Sequence, residues 1–250
     1  MLRLRREAAG AGRPVRSRGA LALLALAAAA VTSAAGSDEL RPYQASYAGI
    51  WHGMRVAVSD LKLEQTGDTW TFTSSSAPRG LGRLASGIFP PRQISVVRVT
   101  AAGAQPLSFR SLGGDHDKST DLSYDWHAAR VTGTLEGARV DQPLAPGVQD
   151  DGSVQLALMV ELLAGRTPSS FRLIDASGTR EYQFARDGEA ALQTPMGTIA
   201  TVVYRAQKTG SPRITRFWCA PQQGYVPMKV EQTKGDDVQW TMEIRSFAWR

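Results

Sequence analysis

The sequence predicts a mainly β protein: a strongly curved antiparallel sheet or open β-barrel with one buried helix at about 151–164. Three observations predict it. Past Ser37, apolar and polar residues alternate with period 2, the mark of strands that bury one face. Gly, Asp, Ser or Pro punctuates that alternation at short intervals. One apolar run, Ser153 to Ala164, is too long for a typical strand. So many amphipathic strands laid flat would leave an apolar face in water, so the sheet is expected to curl with the helix in its concavity. Two sheets packed as a sandwich satisfy the same pattern, and the alternation does not separate the two.

Taken in order, the chain begins with six arginines and one glutamate in residues 1–35, a surplus of +5. The apolar run Ala20 to Val31 and the small residues Thr32-Ser33-Ala34-Ala35 follow. Charged, apolar and small-residue parts in this order make a secretory signal, with cleavage expected after Ala35. The apolar run falls short of the roughly 20 residues that span a bilayer. No Cys lies near its end to carry a lipid anchor. The mature protein, residues 36–250, is therefore expected in the periplasm as a single domain without a transmembrane span. The chain's formal charge of +6 shrinks to about +1 once the signal is removed. That near-neutrality removes the electrostatic half of nucleic-acid binding, so no nucleic-acid partner is expected.

Thirteen strand-like segments follow: 42–51, 54–64, 69–76, 92–100, 106–112, 119–126, 129–135, 168–175, 180–187, 197–207, 213–219, 226–234 and 238–247. In the last of them Val238, Trp240, Met242 and Ile244 alternate with Gln239, Thr241, Glu243 and Arg245. In the second, Met54, Val56 and Val58 share a face while Leu61 and Leu63 fall out of phase, which predicts a bulge around Ser59-Asp60. Gly67-Asp68, Asp187-Gly188 and Gly235-Asp236 read as tight turns. Asp150, Asp151 and Ser153 are start signals for the helix, and Gly165 ends it. Its only strongly polar interior residues are Gln155 and Glu161, so it is expected to be buried on most sides. A short second helix is expected near Leu81 to Ile88.

The residues offer little chemistry. His52, His116 and His127 are scattered singly and the only cysteine is Cys219, so no short metal-ligand spacing occurs and no metal or cofactor is expected. Gly113 to Asp121 has oxygen ligands at alternate positions, but Thr120 stands at the sixth loop position and Trp126 at the closing one, which favours a solvated turn over a calcium loop. Ser153, His127 and Asp150 can be drawn as a triad, yet no Gly-x-Ser-x-Gly elbow supports it. The adjacent carboxylates Asp150-Asp151 and Asp236-Asp237 are expected to point different ways. Cys219 lies in a strand and is expected to be buried and inert. The aromatic residues are the more informative set. Trp70 and Phe72, and Trp240 with Met242, fall on the apolar faces of strands, where they either fill a core or line a cavity for an apolar ligand.

Five stretches together resemble a known family: Ala45 to Met54 (ASYAGIWHGM), Tyr124 to Val131 (YDWHAARV), Leu144 to Val154 (LAPGVQDDGSV), Thr194 to Arg205 (TPMGTIATVVYR) and Phe217 to Gln232 (FWCAPQQGYVPMKVEQ). In this order they are similar to the domain of unknown function 3108 family of bacterial exported proteins. The resemblance implies an envelope location and a β-rich fold, and carries no activity or catalytic residue. Cys219 and Asp151-Gly152 depart from the family pattern, the latter at the expected helix start. The matching residues also have plain structural uses. Gln149, Asp150 and Ser153 can satisfy the first backbone N–H groups of the helix, while Pro195 and Gly197 make a turn.

Three functions are compatible with this reading. The first is non-catalytic binding of a lipid or other apolar envelope molecule, with Trp70, Phe72, Trp240 and Met242 as the ligand-facing residues. The second is a structural or protein-interaction component of the envelope with a fully packed core. An enzyme is the least supported, since no catalytic residue is identified.

Overall fold

The computed structural model describes residues 39–80, 89–112, 119–175 and 178–250. The signal segment, the helix expected near Leu81 to Ile88, and most of the Gly113 to Asp121 loop with His116 lie outside the described residues.

Eight strands come first: β1 (Tyr43–Trp51), β2 (Met54–Thr66), β3 (Thr69–Pro78), β4 (Arg92–Thr100), β5 (Gly103–Leu112), β6 (Thr120–Asp125), β7 (Arg130–Leu135) and β8 (Ala138–Pro143). A two-residue strand, β9 (Val148–Gln149), leads into the helix α1 (Ser153–Leu163). Then follow β10 (Ser170–Asp175), β11 (Gly178–Thr194), β12 (Gly197–Lys208), β13 (Arg213–Ala220), β14 (Val226–Lys234) and β15 (Asp237–Trp249). All belong to one sheet, antiparallel throughout except where β9 joins β10. Strands pair with their sequence neighbours, and β1 also pairs with β15, from Tyr43 opposite Trp249 to Trp51 opposite Trp240. The order thus runs as a ring with one opening: β8 and β9 are consecutive in the chain but stand at the two edges of the sheet.

The sheet curls because its inner face must be covered, and α1 covers it. Leu156, Ala157, Met159 and Val160 pack in one cluster with residues of β1 to β5 and of β13 to β15. Leu158 and Leu162 pack in another with Phe184, Tyr204, Ala206 and Cys219 from β11 to β13. Leu156, Leu158 and Met159 are fully buried, and burial of each side chain stabilises the fold by roughly 1.5–3 kcal/mol. A helix apolar on every side therefore finds sheet on every side, as its composition requires.

The helix ends are set locally. Asp150 and Ser153 cap each other: Asp150 Oδ1 accepts from the Gly152 and Ser153 backbone N–H groups at 2.9 and 2.7 Å, and the Asp150 N–H donates to Ser153 Oγ at 2.8 Å. Gln149 does not cap; its side chain reaches across to β5 and donates to the Ala104 carbonyl at 2.9 Å. At the other end Gly165 takes φ +68°, the Gly165 N–H donates to Leu162 O, and the Arg166 N–H donates to Glu161 O, the paired bonds of a Schellman ending.

Three sequence expectations are corrected. The bulge of β2 lies at Val56, where the β1–β2 register shifts between Gly49 and Ile50, and not at Ser59-Asp60. Ala57, Ser59, Leu61 and Leu63 share the inner face, and the polar Ser59 hides that continuity from a hydrophobic pattern. Asp187-Gly188 is not a turn but a bulge inside β11, which runs on for six more residues to Thr194. Finally, β8 and β9 were not among the expected segments. The first has Val140 as its only buried residue and the second is two residues long.

Candidate functional site

The inner face of the sheet has two tiers. Along β3 and β4 the inward residues change from apolar to polar, one step earlier on β4, where Ser95 stands opposite Phe72. On β3, Trp70 and Phe72 give way to Ser74 and Ser76; on β4, Val97 and Val99 give way to Ser95 and Gln93. The strand register places Leu61, Ser74, Gln93, Ser111 and Thr120 directly opposite one another in sequence around β2 to β6. Ser59 and Ser76 form the next step, their hydroxyls 2.8 Å apart. Gln93 Nε2 donates to Ser111 Oγ at 3.4 Å. The apolar tier surrounds α1. The polar tier lies past the N-terminus of the helix, at Ser95, whose Oγ donates to Asp150 Oδ2 at 3.2 Å. Gly152 is seated tightly there: a Cβ on it would lie 3.0 Å from Ser95 Cβ and 3.3 Å from Asp150 Oδ1. The small residue at position 152 is thus the one that admits the helix start.

Two cavities open near the two ends of α1. One, of about 530 Å³, opens where α1 ends, and Leu40, Trp70, Val99, Val160 and Leu163 are among its walls, with Glu39, Asp68 and Arg166 at the same opening. The other, of about 510 Å³, lies between β5–β7 and β10–β11, walled by Phe109, Leu122, Leu135, Leu173 and Ile174 and by the polar Thr120, Glu136, Asp150, Asp151 and Tyr182. Asp150 is buried, and burial pushes its carboxyl pKa up to about 7 against the lowering effect of the Ser153, Ser95 and Gly152 hydrogen bonds. Burial likewise raises the pKa of the Tyr124 phenol, with the nearby Asp150 and Asp151 charges adding to it. Tyr124 Oη, Gln149 Oε1 and Gln142 Nε2 are buried polar atoms without a hydrogen bond of normal geometry. Gln142 and Gln149 belong to the two edge strands of the sheet opening, β8 and β9.

Of the residues picked from the sequence, Trp240 stands apart from Trp70 and Phe72, and Met242 packs against the clusters of both. Trp70 and Phe72, 7% and 5% exposed, lie in the cluster that contains α1, and Trp70 also walls the 530 Å³ cavity. Trp240 and Met242 pack with Val56, Ala57 and Phe89; the Trp240 and Phe89 rings meet edge to face at 6.3 Å. Trp240 pairs through Trp51 with the far end of β1, so it stands at the opposite end of that strand from Trp70 and Phe72. Ser153 and Asp150 are used up in capping, and His127 lies exposed in the turn after β6, where Asp125 Oδ1 accepts its backbone N–H at 2.9 Å. Asp150 is buried and Asp151 exposed, and both wall the 510 Å³ cavity. Cys219 is fully buried, and burial raises its thiol pKa. Among the described residues no three His, Cys, Asp or Glu side chains gather as metal ligands, and no helix is long and apolar enough to cross a membrane.

The polar tier was missed in the sequence. Its signal was there, in the alternation that continues from Trp70 and Phe72 into Ser74 and Ser76 with hydroxyls in place of apolar groups.

A ringed, mostly antiparallel sheet filled by one helix defines a β-barrel-like protein. The chain belongs to the family described as protein of unknown function DUF3108, whose model matches residues 42–242. Its fold is similar to a β-barrel-like protein of domain of unknown function DUF1849 from Brucella abortus, at 14% identity and a TM-score of 0.53 over 85% of this chain and 99% of that one. A Bacteroides fragilis protein with a YmcC-like fold, proposed to be exported, matches at 9% identity and a TM-score of 0.34, over 84% of this chain and 97% of its own. No curated protein matches the chain.

Proposed function

We propose that this is an exported, non-catalytic binding protein of the cell envelope that holds a lipid or other apolar molecule at the open end of its barrel-like sheet. The observation that carries the reading is the cavity of about 530 Å³ beside the end of α1, whose size suits a small ligand. Leu40, Trp70, Val99 and Leu163 offer an apolar ligand its wall, Phe72 backs that wall within the same cluster, and Arg166 and Asp68 stand at the opening for a polar head. Trp240 and Met242 offer similar chemistry at the opposite end, with Trp240 half-buried.

The test is native mass spectrometry of the mature protein purified from the periplasm without detergent, followed by solvent extraction. A discrete adduct of lipid mass is expected, lost in Leu163→Arg, a substitution at a half-buried position that leaves the fold intact by circular dichroism. Trp240→Glu, run in parallel, assigns the second pair: retention of the adduct there removes Trp240 and Met242 from the site. A bare wild-type chain overturns the reading. It favours instead an interaction protein with a packed core, for which the complete burial of Leu156, Leu158 and Met159 speaks.

A further inference from the structure

We infer that the polar tier inside the sheet is a second binding site, one that takes a small polyhydroxylated molecule, a saccharide unit. The inward positions of a small barrel are filled by apolar side chains when the interior is simply core. Here, past the N-terminus of α1, Ala57 and Phe89 continue the apolar filling on the β1–β2 side, while on β3 to β6 Ser74, Gln93, Ser111 and Thr120 follow one another in register across four strands. Ser74, Gln93 and Ser111 are only partly buried, so this face is reached by solvent. Ser74 makes no side-chain hydrogen bond among the described residues, and the Gln93–Ser111 contact is long at 3.4 Å.

The tier adjoins the cavity of about 510 Å³ through Thr120, which walls both. The buried Tyr124 phenol is turned to the Asp150 carboxyl, which walls that cavity. A ligand hydroxyl, which both donates and accepts, suits the hydroxyls of Ser74, Ser111 and Thr120 and the Gln93 amide. The same walls argue against an anion: Asp150, Asp151 and Glu136 line the cavity, and no Lys or Arg is among its described lining residues. A simple cation fits less well than a hydroxyl, because Asp150 already accepts two backbone N–H groups and the Ser95 hydroxyl. Phe109, Leu122 and Leu135 supply the apolar wall against which the C–H face of a sugar ring packs.

Saturation-transfer difference NMR on the mature protein tests this with methyl glucoside, methyl galactoside and N-acetylglucosamine as probes, and with inorganic phosphate followed by phosphorus line width. Transfer to at least one sugar and no phosphate broadening are expected. Ser74→Val and Ser111→Val should each lower the transfer severalfold, while Leu163→Arg, at the other cavity, leaves it unchanged. Ser74→Ala replaces the valine variant if circular dichroism shows that the latter does not fold. No transfer to any sugar in the wild type, or transfer undiminished in both tier variants, overturns the inference. Because the lipid reading is tested at Leu163, either proposal can fail without the other.

Discussion

Asp150 shows how one side chain serves the helix and meets the interior at once. Its carboxylate collects three donors, yet desolvation outweighs them and holds its pKa near 7. The unfolded chain releases this proton near pH 4. Between those values the folded state binds more protons than the unfolded one, so this group makes stability fall as pH rises through that window. Urea unfolding at pH 4 and pH 7 should therefore show a loss on the order of a few kcal/mol that Asp150→Asn, which keeps the Oδ1 acceptor, largely removes. Parallel pH profiles for the two proteins would refute the assignment. The capping pattern Asp-x-x-Ser is legible in the sequence, but the burial is not. Ser95, which holds the other carboxylate oxygen, is 55 residues away along the chain.

At the scale of elements, α1 is the plainest case of composition dictating environment. An apolar run with only Gln155 and Glu161 as strongly polar interior residues needs cover on all sides, and the structure gives Gln155 a hydrogen bond to the Tyr43 hydroxyl at 3.3 Å and Glu161 an ion pair with Arg166 at 2.7 Å. Leu158 is fully buried between α1 and β11 to β13, so Leu158→Ala should cost about 2–5 kcal/mol in chemical denaturation. Leu163→Ala, at a half-buried position, should cost less than half of that; equal losses would contradict the packing described. Strands were less legible where their inner residues are not hydrophobic. Period-2 reasoning follows apolar side chains, so it misplaced the β2 bulge at Ser59 and broke β11 at a Gly that only bends it.

For the whole molecule, the decisive contact is between β1 and β15, which closes the ring on the side opposite the β8/β9 opening. The Arg250 N–H donates to the Pro42 carbonyl at 3.0 Å, so the two ends of the described sheet meet. The turn between β8 and β9 bridges strands that share no ladder. A circular permutant that links residue 250 to residue 39 through a short Gly/Ser linker and begins at Gly147 keeps every strand pair. It is expected to fold with a Tm within a few degrees of the parent. A second permutant opened within the β14–β15 turn at Gly235 interrupts a hairpin, and should fold more slowly. A Gly147 permutant that fails to fold while the Gly235 one succeeds would show that the opening is not where the register places it.

The sequence by itself determined that this is a mainly β, antiparallel chain with one buried helix, and left a curled sheet and a two-sheet sandwich both open. Amphipathic periods report which faces must leave water, and that requirement is local to each strand. Only the tertiary structure decided the single curled sheet, the closure of β1 on β15, the opening at β8 and β9, the separation of Trp240 from Trp70 and Phe72, and the polar tier of Ser74, Gln93, Ser111 and Thr120. Each of these depends on which residues stand opposite one another across strands, and register is set by cross-strand packing and bulges that no single segment contains.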